Sequence, residues 1–369
     1  MIKTNPGLHN SCNMKQAVLY KKLTKELVQC QACSWKCTIA PDQTGICGIR
    51  LNQHGKLYLM VYGMAVGMCL DPVEKKPLYH FLPGTNALSF GTLGCDFGCL
   101  FCQNWTMSQT SKELKSQNIE ASQKVTKLKS MIELYSEDWP PGKIVDYALQ
   151  VGAKSIAYTY NEPVIFVEYA HDTAKIAIAK GLKNIFVSNG FESEESLVYM
   201  EGLLDAVNVD LKSFNADFYQ KIVKGKLQPV LDNITRMFHR GIHIEVTTLV
   251  IPSQNDSEKE LKQIAEFLAG VSKEIPWHIS AFHPAFKMPD VPSTPRKTLE
   301  KAYQIGQKAG LKYVYVGNVL DAEHCNTNCP KCHEVLVNRS GYLVNILPEF
   351  DQVQKKCHQC GARIAGVWN

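Results

Sequence analysis

From residue 87 onward, short apolar runs alternate with longer stretches of helical period. The runs 87–93, 154–159, 184–188, 206–211, 243–250 and 277–282 are rich in β-branched or aromatic residues, which predicts strands. Between them lie segments such as 168–181 and 257–268, where apolar positions recur at helical spacing. A partial seventh strand is predicted at 312–316. Strand–helix alternation implies parallel strands joined by crossover helices. Six units and a partial seventh predict an α/β fold: an open, partial (β/α)6 barrel over residues 84–322, with a lateral opening wide enough for a large substrate.

Two regions flank that rhythm and one interrupts it. Residues 108–141 are polar and lysine-rich until Pro140-Pro-Gly142 closes the stretch before a predicted helix at 143–150. This reads as an inserted surface segment with a solvated charged face. Residues 1–83 form a cysteine-rich N-terminal segment. In the tail, 323–369, Cys329-Pro-Lys-Cys332 and Cys357-His-Gln-Cys360 are separated by 24 residues. The alternating run Tyr342-Leu-Val-Asn-Ile-Leu between them predicts a hairpin, so the pattern is that of a zinc ribbon whose core is too small to fold without metal.

Composition adds limits rather than direction. With 45% hydrophobic and 20% charged residues and a net charge of +5, the chain is ordinary for a globular protein and gives no reason to expect nucleic acid. The start, Met1-Ile-Lys-Thr-Asn-Pro-Gly, lacks an apolar signal region, and no run suggests a membrane span. A cytoplasmic protein with reduced thiols is expected. Of its fourteen cysteines, eleven fall into three spaced groups, which favours metal over disulfides. Cys12, Cys69 and Cys325 stand apart and receive no role.

The central group carries the chemistry. In Gly94-Cys-Asp-Phe-Gly-Cys-Leu-Phe-Cys102, Cys95, Cys99 and Cys102 form a C-x3-C-x2-C array after a predicted strand. A [4Fe–4S] cluster normally takes four thiolates, so three leave one iron open to a non-protein ligand. In the N-terminal group, Cys30, Cys33, Cys37 and Cys47 offer all-sulfur ligation suited to zinc or to a second iron–sulfur cluster. Cys329, Cys332, Cys357 and Cys360 are expected to bind zinc.

With Phe101 before its last cysteine, the array resembles the signature of radical S-adenosylmethionine (SAM) enzymes. The stretches 71–84, Ser155-Ile-Ala-Tyr-Thr-Tyr-Asn-Glu-Pro163, Asn208-Val-Asp-Leu-Lys-Ser-Phe214 and Phe282-His-Pro284 extend the resemblance to the AmmeMemoRadiSam group, relatives of the pyruvate formate-lyase activating enzymes. The resemblance implies a partial (β/α)6 barrel in which bound SAM is cleaved reductively to a 5′-deoxyadenosyl radical that abstracts hydrogen from substrate. Around SAM it suggests Phe101, Asn161, Glu162, Ser188, Asn189, Asp210, Lys212 and His283. Thr248 and Ile251-Pro252 are candidates for the adenosyl pocket. Val187 replaces an aspartate of the activases and weakens the case for their monovalent-cation site. A flavodoxin- or ferredoxin-type electron donor and companions of the Memo and AMMECR types are implied as partners. Two rivals remain at this stage: an activase of a glycyl-radical enzyme, and a metal-binding electron-transfer or scaffold protein without SAM chemistry.

Overall fold

The computed structural model describes residues 14–321 and 323–369, so Cys12 lies outside the described residues. Its centre is a nine-stranded open sheet. In chain order its main strands are β1 (Met64–Pro72), β2 (Asn86–Gly91), β3 (Ser155–Tyr158), β4 (Lys183–Ser188), β5 (Ala206–Asp210), β6 (His243–Val250), β7 (Trp277–Ala281) and β8 (Val314–Gly317). Strands β2 to β8 lie side by side in sequence order and are all parallel. β1 runs antiparallel to β2, and the two-residue strand Glu137–Asp138 pairs beyond it at the edge.

Two expectations change. The parallel part has seven strands, because 312–316 supplies a full member, β8, paired to β7 from Val314 to Gly317. The sheet also begins upstream of residue 84, since β1 belongs to it. β1 escapes a sequence reading because a register shift between Val66 and Cys69 breaks its alternation.

Crossover helices Val167–Ala179, Leu227–His239, Glu258–Val271 and Arg296–Lys308 turn buried apolar residues towards the sheet. Phe90 of β2 and Tyr158 of β3, both fully buried, meet nearly edge to face at 5.3 Å. Such an aromatic pair contributes about 0.5–1.5 kcal/mol beyond its area burial.

The N-terminal segment forms two three-stranded antiparallel sheets. It is fastened to the helix Val167–Ala179 by buried Arg50, which holds Glu168 with distances of 3.1 and 2.5 Å and donates to Ile165 O at 2.8 Å. Removing one partner of such a buried pair costs about 3–5 kcal/mol. The inserted region is not merely a solvated face. Its helix Thr110–Ser116 buries Ser111 and Leu114, and Ser111 Oγ donates to Cys47 O at 3.1 Å. Helix Ala121–Tyr135 buries Leu128 and Ile132 and exposes most of its remaining surface.

In the tail, Thr327–Asn328, Val335–Ser340 and Leu343–Ile346 make an antiparallel sheet. The tail docks where Val367 N donates to His80 O and Leu82 N to Val367 O, both at 2.7 Å. Arg339 is buried there and donates to Tyr79 O at 2.7 Å and Thr327 Oγ1 at 2.8 Å. No helix among the described residues is long and apolar enough to cross a membrane.

Candidate active site

Beyond the C-terminal ends of the parallel strands lies a cavity of about 570 Å³ whose lining includes Cys95, Cys99, Cys102, Phe101, Asn161, Ser188, Asn189, Asp210 and Lys212. The loop after β2 must turn sharply there. Gly94 has φ +91, and a Cβ on it would lie 2.5 Å from Cys47 O, so only glycine fits. Gly94 N donates to Met107 O at 2.9 Å, and Asn161 Nδ2 donates to Gly94 O at 2.9 Å and Thr92 Oγ1 at 3.1 Å. Asn161 thus anchors the loop as well as lining the cavity.

Burial pushes the thiol of Cys95 well up, and that of Cys99 to about 12 against the pull of Lys212 and Lys112. Buried thiols of this kind become stable thiolates when metal supplies the positive charge. Among the described residues no fourth cysteine lines this cavity. The donor set therefore fits a [4Fe–4S] cluster with one iron left for an exogenous ligand, and the cavity has room for that ligand beside it.

Lys212 Nζ lies 2.8 Å from Asp210 Oδ2 and 5.9 Å from the centre of the Phe101 ring. Burial opposes its charge, but Asp210 together with Cys99 and Tyr219 outweighs this and holds Lys212 protonated well above the usual lysine range. Asn189 N donates to Glu162 Oε2 at 2.7 Å, and its Nδ2 donates to Asp96 Oδ1 at 2.8 Å. Ser188 Oγ lies 3.0 Å from Glu162 and 2.6 Å from Glu192. Burial raises Glu192 to about 7, and burial with neighbouring Asp96 and Glu192 raises Glu162 well above the usual carboxyl range.

Several expected residues take other places. Glu162 is fully buried beneath the cavity floor and caps Val164 N at 3.1 Å, so it supports Ser188 and Asn189 without lining the cavity. His283 is exposed and absent from the lining, with its ring nitrogens 3.1 Å from Ser293 Oγ and Asn318 O. β7 ends at Ala281, and the chain turns away before the histidine. Thr248 is also absent; its hydroxyl donates to Leu211 O at 3.0 Å and accepts from Trp277 Nε1 at 3.0 Å. Thr247 and Leu249 face the cavity instead, while Ile251 and Pro252 do not line it.

Other lining residues were not anticipated. Lys76, Tyr160, His278 and the tail's Tyr342 border the cavity. Lys76 Nζ lies 2.6 Å from Asp71 Oδ2 and 4.6 Å from the centre of the Tyr160 ring, whose hydroxyl donates to Asp71 at 2.7 Å. Against burial, hydrogen bonds from Lys75, Lys76 and Tyr160 hold Asp71 well below the usual carboxylate range. His278 Nε2 lies 2.6 Å from Glu245, which also accepts from the backbone of Tyr79 and His80. Period-two alternation, the signal that singles out Asp210 and Lys212, would have selected Thr247 and Leu249 too.

The tail cysteines Cys329, Cys332, Cys357 and Cys360 bring their sulfurs within 4.8 Å of one another. Among the described residues they are the one group of three or more His, Cys, Asp or Glu gathered closely enough for a single ion. Cys325 stays outside it, donating to Arg339 O at 3.2 Å.

An uncharacterized protein of Methanocaldococcus jannaschii is 38% identical over 352 residues, 95% of this chain and 99% of that one. The benzylsuccinate synthase activating enzyme of Thauera aromatica is 28% identical over 108 residues, 29% of this chain and 33% of that protein. Among solved structures, a radical SAM methyltransferase from Sphaerobacter thermophilus superposes with a TM-score of 0.45 at 16% identity, covering 69% of this chain and 71% of that one. The model of the radical SAM superfamily matches residues 90–268, which include the cysteine loop and the strands that carry the polar cavity wall. The chain carries a radical SAM domain over residues 90–268.

Proposed function

We propose that this protein is a radical SAM enzyme of the AmmeMemoRadiSam group that abstracts hydrogen from a substrate other than a glycyl loop. The observation that carries the reading is the convergence of Cys95, Cys99 and Cys102 with the Asp210–Lys212 pair on one cavity. When bound, a [4Fe–4S] cluster and SAM supply one-electron reductive cleavage to a 5′-deoxyadenosyl radical. The three cysteines would hold the cluster. Lys212 offers a charge-assisted donor to the SAM carboxylate, and Asp210 fixes its direction. Asn161, Ser188 and Asn189 present polar groups from the ends of β3 and β4, while Phe101 and Leu249 supply apolar wall that limits water. The tail cysteines are assigned to structural zinc, in keeping with their close sulfur spacing. A flavodoxin- or ferredoxin-type donor and Memo- and AMMECR-type companions are the partners this reading expects.

The test is anaerobic reconstitution with iron and sulfide, followed by SAM and dithionite. The wild type should form 5′-deoxyadenosine, and Cys95→Ala, Cys99→Ala and Cys102→Ala should each abolish it. Normal cleavage by any of the three would refute the ligand assignment.

A glycyl-radical activase is a second reading, favoured by the aligned segment of the benzylsuccinate synthase activating enzyme. Against it stand two further cysteine-rich segments that suit a dedicated substrate. A persistent glycyl doublet in electron paramagnetic resonance, dependent on this protein in extract of its own organism, would decide for the activase.

A further inference from the structure

Cys30, Cys33, Cys37 and Cys47 surround one small pocket, with Arg50 in its wall. Three of these thiols are buried and Cys37 is half-buried. Their spacing differs from that of the tail set. A single tetrahedral ion with metal–sulfur bonds of about 2.3 Å holds its sulfurs about 3.8 Å apart, and the tail has Cys329–Cys360 at 3.5 Å and Cys332–Cys357 at 3.6 Å. The N-terminal set does not gather so closely, and neither does the central set. Wider spacing is what a cluster demands, because each thiolate binds a different iron.

Two cations lie beside the set, one of them, Arg50, already paired with Glu168. Arg50 faces Cys30 and Cys47, and Lys115 faces Cys47 and Cys37 while its Nζ donates to Gly45 O at 2.7 Å and Thr44 O at 3.0 Å. Lys115 comes from the inserted helix Thr110–Ser116, so the insertion packs on the loop 44–47 that carries Cys47.

The set also adjoins the central loop. Trp35 Nε1 donates to Asp96 O at 3.0 Å, and Cys47 O lies against Gly94. Cys95 Sγ lies 3.8 Å from Asp96 Oδ1, and the same buried carboxyl acts electrostatically on the Cys33 thiol. Asp96 thus lies at the seam between the two thiol sets.

We infer that Cys30, Cys33, Cys37 and Cys47 hold a second [4Fe–4S] cluster that passes single electrons to the central one. A low-potential one-electron donor of ferredoxin or flavodoxin type reduces the outer cluster from 2+ to 1+. It returns to 2+ as the central cluster goes from 2+ to 1+; no bond forms or breaks and no proton moves. Half-buried Cys37 gives the donor an approach outside the central cavity, whereas half-buried Cys102 opens into that cavity. The relay rests on the central cluster proposed above.

The full chain is reconstituted anaerobically with ferrous iron and sulfide, as wild type, as Cys95→Ala/Cys99→Ala/Cys102→Ala and as Cys30→Ala/Cys37→Ala. Iron, sulfide and zinc are counted, and the dithionite-reduced proteins are examined by electron paramagnetic resonance. The wild type should carry about eight irons and each variant about four. Reduced wild type should show two mutually broadened signals, and each variant a single unbroadened one. A central triple variant that binds no iron overturns the second cluster, even if the N-terminal variant fails to fold. So does a second zinc in the wild type that is lost with Cys30 and Cys37. Two sharp, non-interacting signals in the wild type overturn the relay. Failure of the central assignment looks different: the triple variant then keeps all its iron while the N-terminal variant still loses four.

Discussion

Lys212 is held by Asp210 at 2.8 Å inside the cavity, with its charge kept by that carboxylate. A charge-assisted hydrogen bond contributes about 1.5–3 kcal/mol, so Lys212→Met should weaken SAM binding by about tenfold to a hundredfold. Calorimetry on reconstituted protein checks this, with iron content expected to stay at the wild-type level. Both residues were legible in the sequence because strand alternation puts 210 and 212 on one face. Glu162 was legible as a site residue but not in its place, because Pro163 opens a short 3-10 helix there and the carboxylate turns inward to cap it. His283 was placed by resemblance and by its position after a predicted strand and before Pro284, and nothing in that pattern reports that the strand stops two residues earlier.

The paired knuckles of the tail were legible as an element, since C-x2-C twice over with an alternating run between them leaves few other ways to fold. Their sulfurs draw together as that spacing implies. Cys329→Ser/Cys357→Ser should remove about one zinc per chain from air-purified protein and loosen the small sheet, because a four-thiolate zinc contributes directly to folding. Elemental analysis with tryptic cleavage of the tail reads both effects, and unchanged zinc would place the metal elsewhere. β1 and the helix Thr110–Ser116 were hidden for a different reason. β1 carries a bulge and no regular alternation of buried and exposed residues, and the helix buries two residues of which one is a serine. Neither leaves a periodic apolar signal; both are organised by what they dock against.

Across the whole molecule, the joint between sheet and tail runs through His80. Its Nδ1 donates to Ala365 O at 2.6 Å, so Nε2 accepts from the Tyr315 hydroxyl at 2.6 Å, and the ring is neutral and wholly buried. Burial lowers its pKa to about 3. Between that value and about 6.5 the unfolded chain binds a proton that the folded one refuses, so His80 makes stability fall as pH drops through this window. In wild type the melting temperature should decline between about pH 7 and about pH 5, and His80→Gln should flatten that decline. An unchanged slope would assign it to other groups. The joint also bears on how the protein is made. A chain emerges from its N-terminus, so the thiols of the central loop are in place well before Tyr342 arrives to finish the wall. Until the tail docks, the nascent cavity lacks Tyr342 on that side, so the cysteine loop stands more open during synthesis than in the finished protein.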